Sequence, residues 1–554
     1  MREEEPEQGI EIDMAQPIKA FLTAESLDFA ILHITSFYDT DFFPRTEEFR
    51  AIAHSWPVIR THILEATLDQ ILSAAPLVLA WPKVKGGFRV VHRLEPLDAL
   101  IYTAMARTIS EKVEASRAPI HVACSYRLSS YHPNSFFTAG SGYDVYRQRC
   151  ESLAALHPFV LCADITDFYN KIYLHRLQNS IQLATNEPPG IASRIEYFLS
   201  TLNTKASQGI PVGPAASIVM SEVSLNDVDQ FLYNKGFSHV RYVDDYRIFG
   251  TYEQLLVLLQ SLTLYLHENH RLTLNAQKTF IVESAVFLET EINNHYQEEK
   301  LEMFGDIEGV NPYASPGEAD DDDDDDAYGS DNAGAVLLAA VDKVLAYPSL
   351  DLGLIRAIVR SAKSHKVDDL VSILLQNLEF FAPAVNDVML YIDAVTPAEI
   401  DEERIAALAA LCTSIPVKLV AVRMWLQWYF SRHAKLLENP NIRTFVLNAS
   451  PLRHQAQAAI TMKSPAWVKE HKATMLGQGS WDRRSIILAA ATLSKDERDK
   501  WLAPLIKAGS LSKLDSWLAK WVIDGSPVTP PDVLPPDLSW IDSIFSLDLP
   551  NAPT

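Results

Sequence analysis

Only four cysteines occur in 554 residues, Cys124, Cys150, Cys162 and Cys412, and no two stand at a pairing or metal-ligand spacing. That excludes a disulfide framework and a zinc ribbon, and it fits a reducing compartment. No apolar run approaches the length of a membrane span. The opening residues, Met1-Arg2-Glu3-Glu4-Glu5, lack the apolar stretch of a secretory signal, so a cytoplasmic protein without membrane association is expected. Basic charge is scarce as well: 48 Lys and Arg face 71 Asp and Glu, a net charge of −23. Proteins that live on nucleic-acid phosphates usually carry a basic excess, so any polynucleotide must be held locally. One window offers that grip. From Trp81 to Arg127, eight Lys or Arg stand against four acids.

What is present is globular: 48% hydrophobic and 21% charged residues, in a chain too long for a single hydrophobic core. Residues 1–16 are acidic and read as a flexible lead. Residues 17–306 mix helix and strand signals. The stretch to Leu79 is mainly helical, and Trp81 to Val91 reads as strand, Gly86-Gly87 turn, strand. Residues 307–334 carry an unbroken Asp run from Asp320 to Asp326, a self-repelling acidic linker. Residues 335–525 show little but helix, interrupted at Pro348, Pro383, Pro397, Pro416, Pro440, Pro451 and Pro465, with capping boxes at Thr396 and Ser494. Successive amphipathic helices with short connections predict a HEAT-like helical-repeat array, although no strict period excludes a plain bundle. Residues 526–554 are a Pro-rich tail.

Chemistry concentrates in the mixed region. Val240 to Gly250 reads as a β-hairpin broken at Asp244-Asp245. Adjacent carboxylates raise each other's pKa and destabilise a fold, which a bound divalent cation offsets; Mg²⁺ suits carboxylate oxygens shared with phosphates. Upstream, Phe159 to Asp164 is an apolar strand ending on a carboxylate, followed by Phe168-Tyr169. A lone Asp at a strand end is most often a helix cap, but the acidic hairpin downstream gives it a partner. Gln208-Gly209-Ile210-Pro211-Val212-Gly213-Pro214 forms a Gly/Pro loop opening a helix from Ala215 to Leu232. Leu272 to Ile281, with Lys278, and Phe287 to Ile292 read as two further strands. Nucleotidyl transfer uses two metal ions, one at the attacking hydroxyl and one at the leaving pyrophosphate, and carboxylates on neighbouring strands can hold both.

Taken in order, Arg89-Val90-Val91, Asp164 with Phe168-Tyr169, the Gln208 to Ser217 loop, Tyr242-Val243-Asp244-Asp245 and Lys278-Thr279 resemble the reverse transcriptases from about Trp81 to Asn293. The long helical C-terminal region and Ser125-Tyr126-Arg127 make the chain similar to the prokaryotic abortive-infection and defence-associated group (AbiA- and AbiK-like). The resemblance implies an α+β fingers and palm, with an antiparallel palm sheet and helices, ahead of the all-α array. It implies Asp164, Asp244 and Asp245 as catalytic residues and ligands of two Mg²⁺ ions (Mn²⁺ substituting), with the backbone carbonyl of Ile165 completing one ion. It places Lys83, Lys85 and Arg89 on the triphosphate and Lys278 near the pyrophosphate. Gln208 and Gly209 would line the nascent base pair, and Tyr169 would bar a ribose 2′-OH. The expected activity is a deoxynucleotide polymerase in antiphage defence, untemplated and/or protein-primed, in a homo-oligomer, with dNTPs and nascent DNA joined to the protein as partners. Candidate priming tyrosines are Tyr38, Tyr131 and Tyr143. An RNA-templated enzyme using a noncoding RNA is the alternative, and a non-catalytic scaffold with a relic palm a further one.

Overall fold

The structure is a computed structural model that describes residues 15–72, 75–128, 134–138, 142–186, 190–292, 303 and 330–527. Most of the acidic lead, the Asp run of the linker, the Pro-rich tail beyond 527 and Tyr131 lie outside the described residues. Among the described residues, no helix is long and apolar enough to cross a membrane.

Helices α1 (Ala24–Phe37), α2 (Glu48–His54), α3 (Trp56–Glu65) and α4 (Leu68–Ile71) open the chain. Thr23 and Ser26 satisfy the first orphan amides of α1 reciprocally. Strands β1 (Leu77–Pro82) and β2 (Phe88–Arg93) then pair antiparallel, so strand begins two residues before the helical stretch was expected to end. Leu79, Trp81 and Val91 explain this, since the hairpin buries them against C-terminal helices rather than against α4. Gly86 and Gly87 sit at φ +85° and +77°, which the tight tip requires.

After α5 (Pro96–Ser116) and α6 (Tyr143–Ala154), β3 (Phe159–Asp164) enters a four-stranded antiparallel sheet. Next come α7 (Phe168–Lys171), α8 (Leu174–Thr185), α9 (Gly190–Leu202) and α10 (Ala215–Asn234). They are followed by β4 (Ser238–Tyr242), β5 (Asp245–Gly250), α11 (Tyr252–His270), β6 (Phe280–Glu283) and α12 (Ser284–Phe287). The strand order is β4-β5-β3-β6. Period-two alternation splits the strands' residues between two cores. Leu161, Ala163, Tyr246 and Ile248 join α5, α8, α10 and α11, while Val160, Cys162, Val240 and Phe249 pack on α6, Phe287 and Ile292.

Two expected strands are corrected. Of the first, only Phe280 and Ile281 fall in the observed strand, Phe280–Glu283; upstream, Lys278 N–H donates to the Asn275 carbonyl and Gln277 N–H to Asn275 Oδ1, and this turn interrupts the ladder, leaving a single bridge from Leu274 to Ile165. The second is helical, Ser284–Phe287 running into a wider turn over Leu288–Ile292. Its apolar residues serve a helical face as well as a strand, and burying Phe287 and Ile292 on the sheet decides between them.

The C-terminal region is largely helical, as its composition implies. Helices Leu352–Ser364, Val385–Val395, Val420–Arg432, Arg453–Thr461, Ser480–Ala489 and Lys513–Ile523 each pack on the next. Ser494 caps its helix as expected. Thr396 does not: its hydroxyl donates back to Ile392, and the following helix starts at Glu402 under Asp401. This region clasps the N-terminal half. Trp81 Nε1 donates to the Pro383 carbonyl at 3.0 Å and Trp425 Nε1 to that of Phe42 at 3.2 Å. Buried Glu48 faces Arg453 at 3.2 Å and Arg484 at 3.4 Å, and Arg484 also meets Glu95 at 2.7 Å.

Candidate active site

The β4–β5 register pairs Tyr242 with Asp245, so the two-residue turn is Val243-Asp244, one residue earlier than the Asp-Asp break expected from sequence. Asp245 is the first residue of β5 and lies opposite Asp164, the last of β3. The hairpin therefore carries one carboxylate on the sheet and one on the turn, beside the carboxylate that ends the neighbouring strand.

Their electrostatics are unfavourable as they stand. Burial, then Asp245 and Asp164, push the Asp244 carboxyl up to about 7. Burial also raises Asp245; Arg247 opposes this and Asp164 adds to it. Asp164 has cationic and amide partners: Lys278 Nζ lies 2.9 Å from one oxygen and Asn275 Nδ2 donates to the other at 3.2 Å. Burial alone would lower the Lys278 ammonium, but Asp164 outweighs it and raises the pKa. Among the described residues, no three carboxylate, imidazole or thiol groups converge closely enough to hold an ion as they stand. Even so, the donor set is all oxygen, and burial together with the neighbouring carboxylates has raised two of its members toward protonation. That is the condition a hard divalent cation relieves, so the residues fit Mg²⁺ or Mn²⁺. Ile165 is buried directly after Asp164, bridged to Leu274.

The flanking residues gather on one side. Tyr169 is half-buried, edge-on to Phe168, and its hydroxyl accepts from Ser221 at 3.1 Å. The Gly/Pro loop lies against it: Gly209 N–H donates to the Ile172 carbonyl at 2.8 Å and Ile210 N–H to that of Tyr169 at 2.9 Å. Gly209 sits at φ +93°, where a Cβ would stand 3.2 Å from the Asn170 carbonyl oxygen. Gln208 is exposed, its amide 3.3 Å from the Lys171 carbonyl. At the far end, Val212 bonds His92 in both directions and so ties the loop to β2.

The basic window shrinks on folding. Arg93 is buried beside Asp39, Arg117 beside Glu222, and Arg107 and Arg127 pair with Glu111 and Glu114. Lys83, Lys85 and Arg89 stay exposed on the β1–β2 hairpin. Tyr38 terminates α1, its hydroxyl accepting from Thr46 N–H at 2.7 Å with the Arg45 guanidinium 4.5 Å from its ring. Tyr143 starts α6, is 44% exposed, and stands edge-on to Tyr242 of the acidic hairpin at 5.6 Å.

Sequence reasoning missed the hairpin's support. Val243 has φ +55°, a left-handed conformation that β-branched residues rarely adopt. Its N–H donates to Ser125 Oγ at 2.9 Å and its carbonyl accepts from Arg241 Nη1 at 2.9 Å. Arg241 is fully buried between Asp229 and Glu222. A signal was available: alternation puts Arg241 on the core side of β4, and a charge there needs partners. Glu222 and Asp229, seven apart on α10, share the helix face that supplies them.

Residues 82–305 match the family model described as "Reverse transcriptase (RNA-dependent DNA polymerase)". This segment is a reverse-transcriptase domain. The chain is accordingly an RNA-directed DNA polymerase-like nucleotidyltransferase. Among solved structures it is similar to apo telomerase from Candida tropicalis, at 12% identity over 65% of this chain and 69% of that one, TM-score 0.33. It is also similar to telomerase from Candida albicans in complex with a fragment of telomeric RNA, at 14% identity over 72% and 70%, TM-score 0.26. No curated protein matches the chain.

Proposed function

We propose that this reverse-transcriptase domain is a deoxynucleotide polymerase acting in antiphage defence of the abortive-infection type, its synthesis untemplated and/or primed on the protein. The observation that carries the catalytic reading is the register of Asp164 opposite Asp245 with Asp244 on the adjoining turn. Asp164, Asp244, Asp245 and the Ile165 carbonyl would hold two divalent ions, whose chemistry is to activate the attacking hydroxyl and neutralise the leaving pyrophosphate. Exposed Lys83, Lys85 and Arg89 bind the triphosphate, and Lys278, released from Asp164, faces the pyrophosphate. Gln208 and Gly209 line the incoming base, and Tyr169 closes the sugar pocket. The helical region, in this reading a HEAT-like array, is supported by its continuous stack of helices. An acidic body, with a net charge of −23, supports synthesis that needs little grip on a long duplex. Of the described candidate priming residues, Tyr143 combines exposure with contact to the acidic hairpin, whereas the Tyr38 hydroxyl is occupied by Thr46.

Incubating the protein with each dNTP and Mg²⁺, without template or primer, is expected to give DNA whose mobility changes on protease digestion. Tyr143→Phe is expected to remove the nucleotide adduct seen by mass spectrometry. Synthesis confined to an added primer and template would overturn the untemplated and protein-primed reading and point to an RNA-templated enzyme.

Tyr169→Ala is expected to raise ribonucleotide incorporation relative to deoxynucleotide by about a hundredfold, the scale on which a close steric contact discriminates. Equal use of both sugars by the wild type would remove Tyr169 from this role.

A further inference from the structure

We propose that Ser125 is a positioning residue that clamps the Val243 turn in its left-handed conformation and thereby sets the Asp244 carboxylate for metal binding. The assignment rests on the metal-binding reading of Asp164, Asp244 and Asp245 above.

A two-residue hairpin turn needs positive φ at its first position, and glycine, asparagine or aspartate normally supplies it. Here valine occupies that position at φ +55°. Local preference therefore opposes the conformation, and something outside the hairpin must enforce it. Both backbone polar groups of Val243 are engaged, the N–H by Ser125 Oγ and the carbonyl by Arg241 Nη1, each at 2.9 Å.

The clamp has a defined polarity. Ser125 Oγ also lies 3.1 Å from Glu222 Oε1. A carboxylate only accepts, so the serine proton goes to Glu222 and a lone pair is left facing the Val243 N–H. Glu222 in turn meets Arg117 at 2.7 Å and Arg241 at 3.1 Å, all three with side chains at most 1% exposed. Arg117 further donates to the Ser125 carbonyl at 2.7 Å and the Tyr126 carbonyl at 3.1 Å, which fixes the segment carrying the hydroxyl. That segment is registered on the outer edge of β4 as well: Arg241 N–H donates to Val122 at 2.7 Å and Cys124 N–H to Arg241 at 3.0 Å. Ser125 therefore cannot shift without the strand, and Val243 cannot relax without leaving Ser125. Asp244, the next residue, follows Val243.

Mn²⁺ binding measured by calorimetry, without nucleotide, tests this on the full chain. Ser125→Ala is expected to bind Mn²⁺ about tenfold more weakly, the scale at which groups that orient metal ligands act. Adding Val243→Gly to Ser125→Ala is expected to return affinity close to wild type, because glycine adopts positive φ unaided. The double variant also keeps the test open if Ser125→Ala alone does not fold. Wild-type affinity in Ser125→Ala, or a double variant as weak as the single one, overturns the clamp. Wild-type protein that binds no Mn²⁺ overturns the metal reading of the site itself, a failure told apart by needing no variant.

Discussion

Protein carrying Asp244→Asn with Asp245→Asn is expected to incorporate no nucleotide, while melting at or above the wild-type temperature in metal-free buffer. Both halves follow from one fact. The Asp244 carboxyl is pushed up to about 7 by burial and by its two acidic neighbours, so its ionised form costs stability in the absence of a cation. Asparagine keeps the shape and removes the charge. Repulsion is relieved and the capacity to hold two divalent ions is lost. The sign with pH agrees: a carboxyl raised above its ordinary 3.8 destabilises the fold above about 7 and ceases to do so as pH falls toward 4. The metal-free wild type should therefore gain on the double variant as pH drops from 8 to 5. Incorporation assays and differential scanning calorimetry at the two pH values check both parts. Retained activity, or a double variant that melts well below wild type, would remove these carboxylates from the role given them.

The second large effect lies at the clasp between the two halves of the chain. Burial alone would raise the Glu48 carboxyl, but Arg453 and Arg484 bring it down to about 2. Glu48→Ala leaves two arginines facing a buried gap, and truncating one partner of a buried ion pair costs about 3–5 kcal/mol. Chemical denaturation should show that loss at pH 7. The folded value lies below the ordinary 4.5, so the wild-type advantage is present above 4.5 and fades as pH falls through about 2. A variant within about 0.5 kcal/mol of wild type, the range of ordinary surface substitutions, would show that Glu48 holds nothing together.

The chain's local patterns determined a good deal by themselves. The short apolar run ending on Asp164, the Gly86-Gly87 tip, the Gly/Pro loop before α10 and the aromatic hairpin with paired aspartates were all legible. Each is a short-range consequence of strand period or of glycine's conformational freedom, and together they carried the resemblance to reverse transcriptases. The tertiary structure alone decided the rest. The turn moved one residue, to Val243-Asp244, because Ser125 and Arg241 hold a conformation that valine's own preferences oppose. The basic window lost Arg93, Arg107, Arg117 and Arg127 to acids. Lys278 came to rest on Asp164, 114 positions away. Phe287 to Ile292 became helical because the sheet face they cover accepted that spacing. In each case the deciding partner is distant in sequence. Period and propensity describe what a segment can form, whereas the neutralisation of a buried charge or the burial of an ambiguous apolar face depends on which surface the folded chain brings to it.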